Sequence, residues 1–335
     1  MSIIDHVIAS NTLICLYIMV LYYLLTHTRT ISLTEYLYYF LIGVFVIVPI
    51  TGYLQYQIFF DFLSSPLFAG TYLGPLEELT KILIPVLAIH LHPKRKSMSV
   101  ADFILIAIAV GCAFSLCENL LYSRSAFAGG KFNILAGSKM YMEYNFQSIT
   151  YFNHFLYPAA ISAFLGLKNR FSKSIVLSIL FYILSVITLA YSMFVHGFYN
   201  YCQENSVFGI IQYPENKLAV FIYEKICFSG RYLDIIFIAL VICIAIFEAI
   251  SLYKASKQPG SLLSHYFSNS YQKQIIIYIL KSKRLKQTAF NPLYKKYLFY
   301  SLFAGIDKAN TKYGSLIELQ ALKQQSLFSK TEVHM

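Results

Sequence analysis

The sequence predicts an all-α polytopic integral membrane protein with about seven transmembrane helices, six to eight being compatible with it. The chain has 335 residues and is 57% hydrophobic but only 13% charged. With a mean hydropathy of +0.57, it has more apolar surface than a soluble domain of this length can bury. Its apolar runs approach about twenty residues, the length of a membrane-spanning helix, and lack the alternation of a transmembrane β-barrel.

Seven apolar segments are long enough to cross a bilayer. They are residues 7–26, 37–55, 66–91, 100–123, 146–167, 174–199 and 232–253. Residues 56–74, which overlap the start of the third segment, are rich in Gly, Ser and Pro; this predicts an interfacial or re-entrant stretch and a helix starting near Pro75. The tail contains two short apolar runs, 275–280 and 297–304, and we expect both to form helices lying on the membrane surface.

Basic residues are distributed unevenly among the predicted loops. Most of the 27 lysines and arginines fall on one side of the seven spans and in the tail after Tyr253. The positive-inside rule therefore predicts the plasma (inner) membrane, with the N-terminus outside and the C-terminus in the cytoplasm. The net charge of +11 is then explained by contact with anionic lipids, and no nucleic acid partner is predicted.

Acidic and imidazole side chains interrupt the apolar segments. Glu77 and Glu78 are adjacent in the third predicted span, where ionised carboxylates are too costly to be retained for stability. Later spans contain Glu118, His154 and His196. At a rise of about 1.5 Å per residue, all five fall at a similar depth in the outer half of the bilayer. We therefore expect them to converge.

Helical spacing adds supporting groups to these acids. Lys81 follows Glu77 by four residues and Glu78 by three, so it can pair with either carboxylate. Phe114 precedes Glu118 by four residues, which places an aromatic wall beside that carboxylate.

The same spacing places Asn200 on the face of His196, where an imidazole and an amide could hold a metal, a water or an oxyanion. Asn119 directly follows Glu118 but points about 100° away, so its role stays open. This set suits hydrolysis by a carboxylate that activates water. Glu118, His154 and His196 also match the ligands of a catalytic zinc, and zinc and metal-free mechanisms both stay open.

Four short patterns occur in order along these spans. They are Glu77-Glu78-x-x-Lys81, Phe114-x-x-x-Glu118-Asn119, His154 on a segment that later reaches Gly166, and His196-x-x-x-Asn200. Together they resemble the motifs of PrsW-type intramembrane proteases, which are related to CAAX-type prenyl endopeptidases and bacteriocin-processing enzymes. The resemblance covers roughly residues 66–201.

The resemblance implies a membrane-embedded peptidase, of a group commonly called metalloproteases. Glu77 or Glu78 would activate water, and Asn200 would assist the oxyanion. The remaining site residues would be Glu118, His154 and His196. The substrate would be a membrane-anchored protein or a lipidated peptide, since the PrsW branch is associated with cleavage of membrane-anchored regulators such as anti-sigma factors.

The predicted organisation has five parts. Residues 1–65 hold the first helices and a connecting segment, 66–201 a four-helix catalytic core, 202–231 an extracytoplasmic loop, 232–253 the last span, and 254–335 a basic cytoplasmic tail. The loop contains two cysteines, at 202 and 227, which could form a disulfide or stay free thiols.

Two other functions fit intramembrane Glu and His residues. A transporter or channel could use them to handle protons or cations, and a non-catalytic scaffold could keep the fold without activity. A transporter is expected to show inverted repeats and paired broken helices, and the sequence shows neither, although 56–75 is one candidate break.

Overall fold

The computed structural model describes residues 3–59, 66–92, 95–122, 130–133, 137–144, 147–152, 154–207, 216–228, 232–262 and 292–332. This part of the chain is mostly helical, with one small antiparallel sheet, and the predicted helical membrane class is confirmed. The helices are α1 Ile3–Leu25, α2 Leu33–Ile42, α3 Val48–Phe59, α4 Pro66–Leu91, α5 Val100–Tyr122, α6 Leu156–Arg170, α7 Ile175–Val207, α8 Lys217–Phe221, α9 Leu233–Ser256, α10 Pro292–Ala304 and α11 Ile306–Glu332.

Four stretches are long and apolar enough to cross a membrane, among the residues that the structure describes. They are Leu33–Gln57, Val100–Glu118, Ile175–Cys202 and Leu233–Ser256. The apolar window of α5 is 89% buried, whereas that of α7 is only 11% buried, so α5 is an interior helix and α7 exposes its apolar surface to lipid. Seven spans stay a prediction, because the apolar stretch Thr12–Leu25 of α1 is shorter than a full span and α4 carries three charged residues.

Helices α2 and α3 are joined by a π-helical turn, Gly43–Ile47. Helix α2 starts at a capping box, in which the Glu35 amide donates to the Ser32 hydroxyl and the Ser32 amide donates to the Glu35 carboxylate. At Gly43 a Cβ would lie 2.5 Å from the Cβ of Ala113, so the close approach of this turn to α5 requires glycine.

The helix that carries the two adjacent glutamates begins earlier than predicted. Helix α3 continues to Phe59, and α4 begins at Pro66 with Pro75 inside it, so the expected helix start near Pro75 is wrong. An interior proline forfeits one backbone hydrogen bond, which membrane helices tolerate when neighbouring groups compensate. The rest of the predicted interfacial stretch, residues 60–65, lies outside the described residues.

A three-stranded antiparallel sheet precedes α6. Its strands are β1 Gly130–Asn133, β2 Gly137–Tyr144 and β3 Gln147–Phe152, in the order β1-β2-β3. The predicted span 146–167 is therefore wrong at its start, where β3 pairs Thr150 with Tyr141 and α6 begins at Leu156. The sequence of β3 contains Ile, Thr, Tyr and Phe, and such β-branched and aromatic residues favour a strand over a helix.

The two loop cysteines are free thiols. Cys202 and Cys227 are both buried and unbonded, so the structure contains no disulfide between them. The Phe198 ring on α7 stacks on Tyr223 with 4.1 Å between centroids, and this contact ties the π-helical segment Ile222–Ile226 to α7.

The chain divides into two compact units. Unit 1 comprises Met1–Tyr23, Ser32–His90 and Phe103–Val241, and unit 2 comprises Leu24–Ile31, Leu91–Asp102 and Ile242–Met335. In unit 2, Tyr297, Leu298 and Phe299 of α10 are completely buried in a cluster with Leu252 and Ile317. Residues 297–304 lie on a helix, as predicted, but part of this apolar run packs into the core of unit 2; its position on the membrane surface stays a prediction. The other predicted run, 275–280, lies outside the described residues.

Unit 2 contains a fully buried acid, Asp102, near the start of α5. Its Oδ1 accepts from the amides of Thr30 and Ile31 at 2.6 and 3.0 Å. Its Oδ2 accepts from the Thr30 hydroxyl and the Ser99 amide, each at 2.7 Å. Asp102 therefore both caps α5 and holds the segment before α2.

A second buried acid of unit 2, Glu248, accepts from the Thr28 hydroxyl and the Val100 amide, each at 2.5 Å. Lys295 of α10 donates to the carbonyl oxygen of His27 at 2.6 Å. Burial lowers the pKa of Lys295 to about 8. Hydrogen bonds of Glu248 and Lys295 thus join the segment before α2 to α9 and to the tail within this unit.

Candidate active site

Helix α4 presents three ionisable groups to the interior of unit 1. Glu78 and Lys81 are completely buried, and Glu77 is 6% exposed. Lys81 Nζ lies 2.7 Å from Glu78 Oε1, one helical turn away, and 3.7 Å from Glu77 Oε2. The predicted pairing is confirmed, and it is closer to Glu78 than to Glu77. The two adjacent glutamates therefore have different surroundings.

His154 is held between α4 and α5. It lies in the turn before α6, not on a helix as expected. Lys81 donates to its Nδ1 at 2.6 Å. Because an ammonium group can only donate, Nδ1 accepts and Nε2 carries the ring proton. Nε2 contacts the carboxylate of Glu118, whose side chain is 21% exposed.

His196 of α7 is held in a comparable way. Its Nδ1 lies 2.9 Å from Glu78 Oε1, so the proton of Nδ1 is donated to this carboxylate. Its Nε2 lies 3.6 Å from Glu77 Oε2. The His154 and His196 rings are 5.3 Å apart between centroids. Each imidazole therefore contacts Glu118 or Glu78 through one nitrogen and faces Glu77 with the other.

The opposite nitrogens of the two histidines converge on one oxygen. Glu77 Oε2 lies 3.6 Å from His196 Nε2 and 3.9 Å from His154 Nδ1. It is buried and has no hydrogen-bond partner among the described residues. An unsatisfied buried carboxylate oxygen is unusual, and here it indicates a place for a missing donor, such as water, or a cation.

These three groups could also hold a metal. One atom each from Glu77, His154 and His196 can be chosen so that all lie within 4.8 Å of one another. A carboxylate and two imidazoles, each imidazole fixed by a carboxylate on its far nitrogen, are typical of zinc sites. The set differs from the predicted ligands in that Glu77 takes the place of Glu118, which instead contacts His154 Nε2.

Two glycines allow the backbones around the site to approach closely. A Cβ on Gly74 of α4 would lie 3.0 Å from Cγ of His196 and 2.9 Å from the amide nitrogen of Gly197. A Cβ on Gly111 of α5 would lie 2.6 Å from the carbonyl oxygen of His154. Larger residues would push both histidines away from the glutamates.

The predicted supporting residues have different outcomes. Phe114 forms an aromatic wall, 4.6 Å from Lys81 Nζ and 5.2 Å from the ring of His154 between centroids. Asn200 lies on α7 one turn after His196 and is partly buried, and its role stays a prediction. Asn119 is on α5, but its side chain lies outside the described part of the structure.

Sequence reasoning missed two polar residues of α3. Gln55 donates to Glu77 Oε1 at 3.0 Å. The Thr51 hydroxyl lies 2.7 Å from that of Thr80, which in turn lies 3.0 Å from the Glu77 carbonyl oxygen. The available signal was the four-residue spacing of Thr51 and Gln55 on a largely apolar helix.

Comparison with known proteins agrees with this geometry. A family model for PrsW family intramembrane metalloproteases matches residues 32–224, more than half of the chain. This range starts at the cap of α2, contains the complete set of charged and imidazole site residues, and excludes the tail of unit 2. None of the curated proteins and none of the solved structures compared with the chain matches it. The chain belongs to the PrsW family of intramembrane metalloproteases.

Proposed function

We propose that this chain hydrolyses a peptide bond in a membrane-anchored protein or a lipidated peptide, with Glu77 as the carboxylate that activates water. The observation that carries the proposal is the position of Glu77 Oε2, which is buried, lacks a hydrogen-bond partner among the described residues, and faces His154 and His196. Glu78 is a weaker candidate because its Oε1 is already bound by both Lys81 and His196.

In this mechanism a water molecule donates a hydrogen bond to Glu77 Oε2 and lies beside the two imidazoles. As the water oxygen attacks the carbonyl carbon of the peptide bond, Glu77 accepts its proton. The C–N bond then breaks, and the proton passes to the leaving amine. We assign Asn200 to the oxyanion as an amide donor, one turn from His196 on α7.

The other charged groups fix the orientation and protonation of the two histidines and balance the charge of the site. Glu118 and Glu78 each accept from one nitrogen of a histidine, which fixes the ring orientation and proton position of His154 and His196. Lys81 compensates the charge of Glu78, so that an ionised carboxylate is tolerated in an apolar environment.

Zinc fits the same residues as an alternative to this metal-free mechanism: Glu77, His154 and His196 would hold it, and Glu77 would then be a ligand and not the proton acceptor. When bound, zinc would supply Lewis acidity, which polarises the carbonyl group and lowers the pKa of water. Lys81 occupies His154 Nδ1 at 2.6 Å, so the ammonium group and a metal compete for this nitrogen. Zinc binding at this nitrogen would therefore require Lys81 to give up His154, and Lys81 could keep its bond to Glu78.

The orientation in the membrane is part of the proposal. We place seven spans in the plasma membrane, the N-terminus outside and the C-terminus in the cytoplasm, as loop charges indicate. The site then opens to the outer half of the bilayer. Substrates cut on that side of their membrane anchor, such as membrane-anchored regulators, are consistent with this placement.

A comparison of protein termini tests the proposal. The full chain and its Glu77→Gln variant are expressed in cells, and new N-termini in the membrane fraction are identified by terminal-amine labelling. We expect cleavage products that disappear in Glu77→Gln and persist in Glu318→Gln, a control at an exposed glutamate of α11. Identical sets of termini in all three would refute the proposal.

Purified protein in lipid nanodiscs separates the remaining alternatives. Cleavage of one identified product by the wild type alone supports the peptidase. Loss of a cation or proton flux in Glu77→Gln, without any cut bond, supports the transporter. Family membership favours the peptidase over the transporter and the scaffold.

A further inference from the structure

Thr51 and Gln55 of α3 both act on Glu77, although they belong to none of the four motifs. Thr51 and Gln55 are one helical turn apart and face α4. Gln55 contacts the side chain of Glu77, and Thr51 reaches its main chain through Thr80. The same glutamate is therefore held at two points from one neighbouring helix.

Gln55 determines which oxygen of Glu77 is available. Its Nε2 donates to Oε1 at 3.0 Å, and this contact satisfies one of the two carboxylate oxygens. The other oxygen, Oε2, is left facing His154 and His196. Without this bond, the carboxylate could rotate about its last torsion, which has a broad energy minimum.

Thr51 and Thr80 hold the backbone beneath this carboxylate. The Thr51 hydroxyl can donate to Thr80 Oγ1 at 2.7 Å, and Thr80 then donates to the Glu77 carbonyl oxygen at 3.0 Å. All three groups are buried. Because hydroxyl groups buried among apolar side chains need partners, this chain also fixes the rotation of α3 relative to α4.

The π-helical turn before α3 explains how these residues reach Glu77. Ile47, the last residue of the turn, packs against Val110 and Phe114 of α5, and Gly43 contacts Ala113. A π-helical turn has a wider repeat than an α-helix, so it changes the angular position of every later side chain. Such turns are frequent at functional sites.

We propose that Gln55 is a positioning residue for peptide hydrolysis, which holds Glu77 Oε1 so that Oε2 faces the two histidines. The inference rests on the proposed role of Glu77. A purely structural role, in which Gln55 only joins α3 to α4, predicts a loss of stability without a specific loss of turnover. The test must separate these two effects.

The experiment compares steady-state cleavage by three variants in nanodiscs. The substrate is a quenched-fluorescent peptide built around a cleavage site identified by the terminus mapping, with its membrane anchor retained. Gln55→Met removes the donor at nearly constant volume, and Gln55→Glu replaces the donor with an acceptor. Gln57→Met is the control, because it makes the same Gln-to-Met substitution at an exposed side chain of the same helix. Thermal unfolding of each variant is measured in parallel.

We expect kcat to fall about 10- to 100-fold in both Gln55 variants, with KM within about twofold of the wild type. Gln57→Met should keep both constants. The result that overturns the inference is a kcat in both Gln55 variants equal to that of Gln57→Met, or a changed KM at constant kcat. If Gln55→Met does not fold, Gln55→Glu alone decides between these outcomes.

The Glu77→Gln variant keeps the two proposals distinguishable. If Glu77→Gln still cleaves the peptide at the wild-type rate, the proposed function itself fails. If Glu77→Gln is inactive and both Gln55 variants turn over normally, only the positioning role of Gln55 fails.

Discussion

Asp102 in unit 2 and Glu77 in unit 1 are both buried carboxylates on apolar helices, but they differ in how many hydrogen bonds their oxygens accept. Both oxygens of Asp102 accept hydrogen bonds, four in total, from Thr30, Ile31 and Ser99. Only Oε1 of Glu77 accepts one, from Gln55, and Oε2 has none among the described residues. The same chemical group thus has a complete set of partners in one unit and an incomplete set in the other.

The contrast helps to distinguish structural from functional acids. A buried carboxylate with all its hydrogen bonds stabilises the segments that donate them. One with an open oxygen costs stability, and such groups persist where they act on a ligand or a reactant. By burial alone, Asp102 would be a stronger candidate for a functional acid than Glu77. The hydrogen bonds of the two carboxylates reverse this order.

The largest expected effect is that of Glu77→Gln. Replacing the acid with an amide removes the proton acceptor, and we expect cleavage to fall by about 10²- to 10⁴-fold. Stability should stay equal or increase, because an unsatisfied carboxylate oxygen is removed. Cleavage and thermal unfolding are measured on the same preparation. A large loss of stability would show that Glu77 is a structural acid like Asp102.

The same acid-to-amide change, Asp102→Asn, should give the opposite result. The amide nitrogen of the new side chain would face N–H donors such as that of Ser99, and we expect a destabilisation of about 2 to 3 kcal/mol. Activity per folded molecule should be unchanged. Chemical unfolding measures the free energy of unfolding. The amount of folded protein is measured independently of the active site, so that activity can be expressed per folded molecule. Inactive but fully stable Asp102→Asn would contradict the structural role.

A substitution at Gly74 probes the precision of the site in unit 1. The added methyl group of Gly74→Ala meets His196 Cγ at 3.0 Å, so α7 must shift and cleavage should fall about 10- to 100-fold. Gly52→Ala is the control, since a Cβ there has no neighbour within 4 Å and alanine favours a helix. Equal activity of the two variants would show that the position of His196 is not critical.

Lys295 should give unit 2 a pH dependence of modest size. Burial, and secondarily the charge of Arg29, lower its pKa in the folded state to about 8 from 10.5. Between these two pH values the unfolded chain binds more protons than the folded one, so stability should rise with pH in that window. We expect a gain of about 1 to 2 kcal/mol, allowing for the exposed part of the side chain.

The Lys295→Met variant isolates this contribution. At pH 7 it should be more stable than the wild type, and the difference should shrink as the pH approaches 10.5. Thermal unfolding of both proteins at four pH values from 7 to about 10.5 measures the difference. A difference that does not change with pH would contradict the lowered pKa. Lys295 lies in the tail, outside the four candidate spans, so the site in unit 1 should be unaffected.

Sequence patterns determined the membrane class, the family and the groups that form the site. Glu77, Glu78, Lys81, Glu118, His154 and His196 were predicted to meet, and the structure brings all six together. The reason is physical: charged and imidazole groups are so costly in apolar segments that their presence alone indicates a shared polar site. Apolar length likewise predicts helices, whichever way they pack.

Only the tertiary structure decided which of these groups contact one another. Glu77 and Glu78 are adjacent in sequence, yet Oε1 of Glu78 is bound by Lys81 and His196, whereas Oε1 of Glu77 is bound by Gln55. The partnership of Gln55 with Glu77 depends on the rotation of α3 after a π-helical turn. Hydrogen-bond partners distant in sequence are set by packing, which local patterns do not encode. The strand before His154 and the burial of α10 eluded prediction for the same reason.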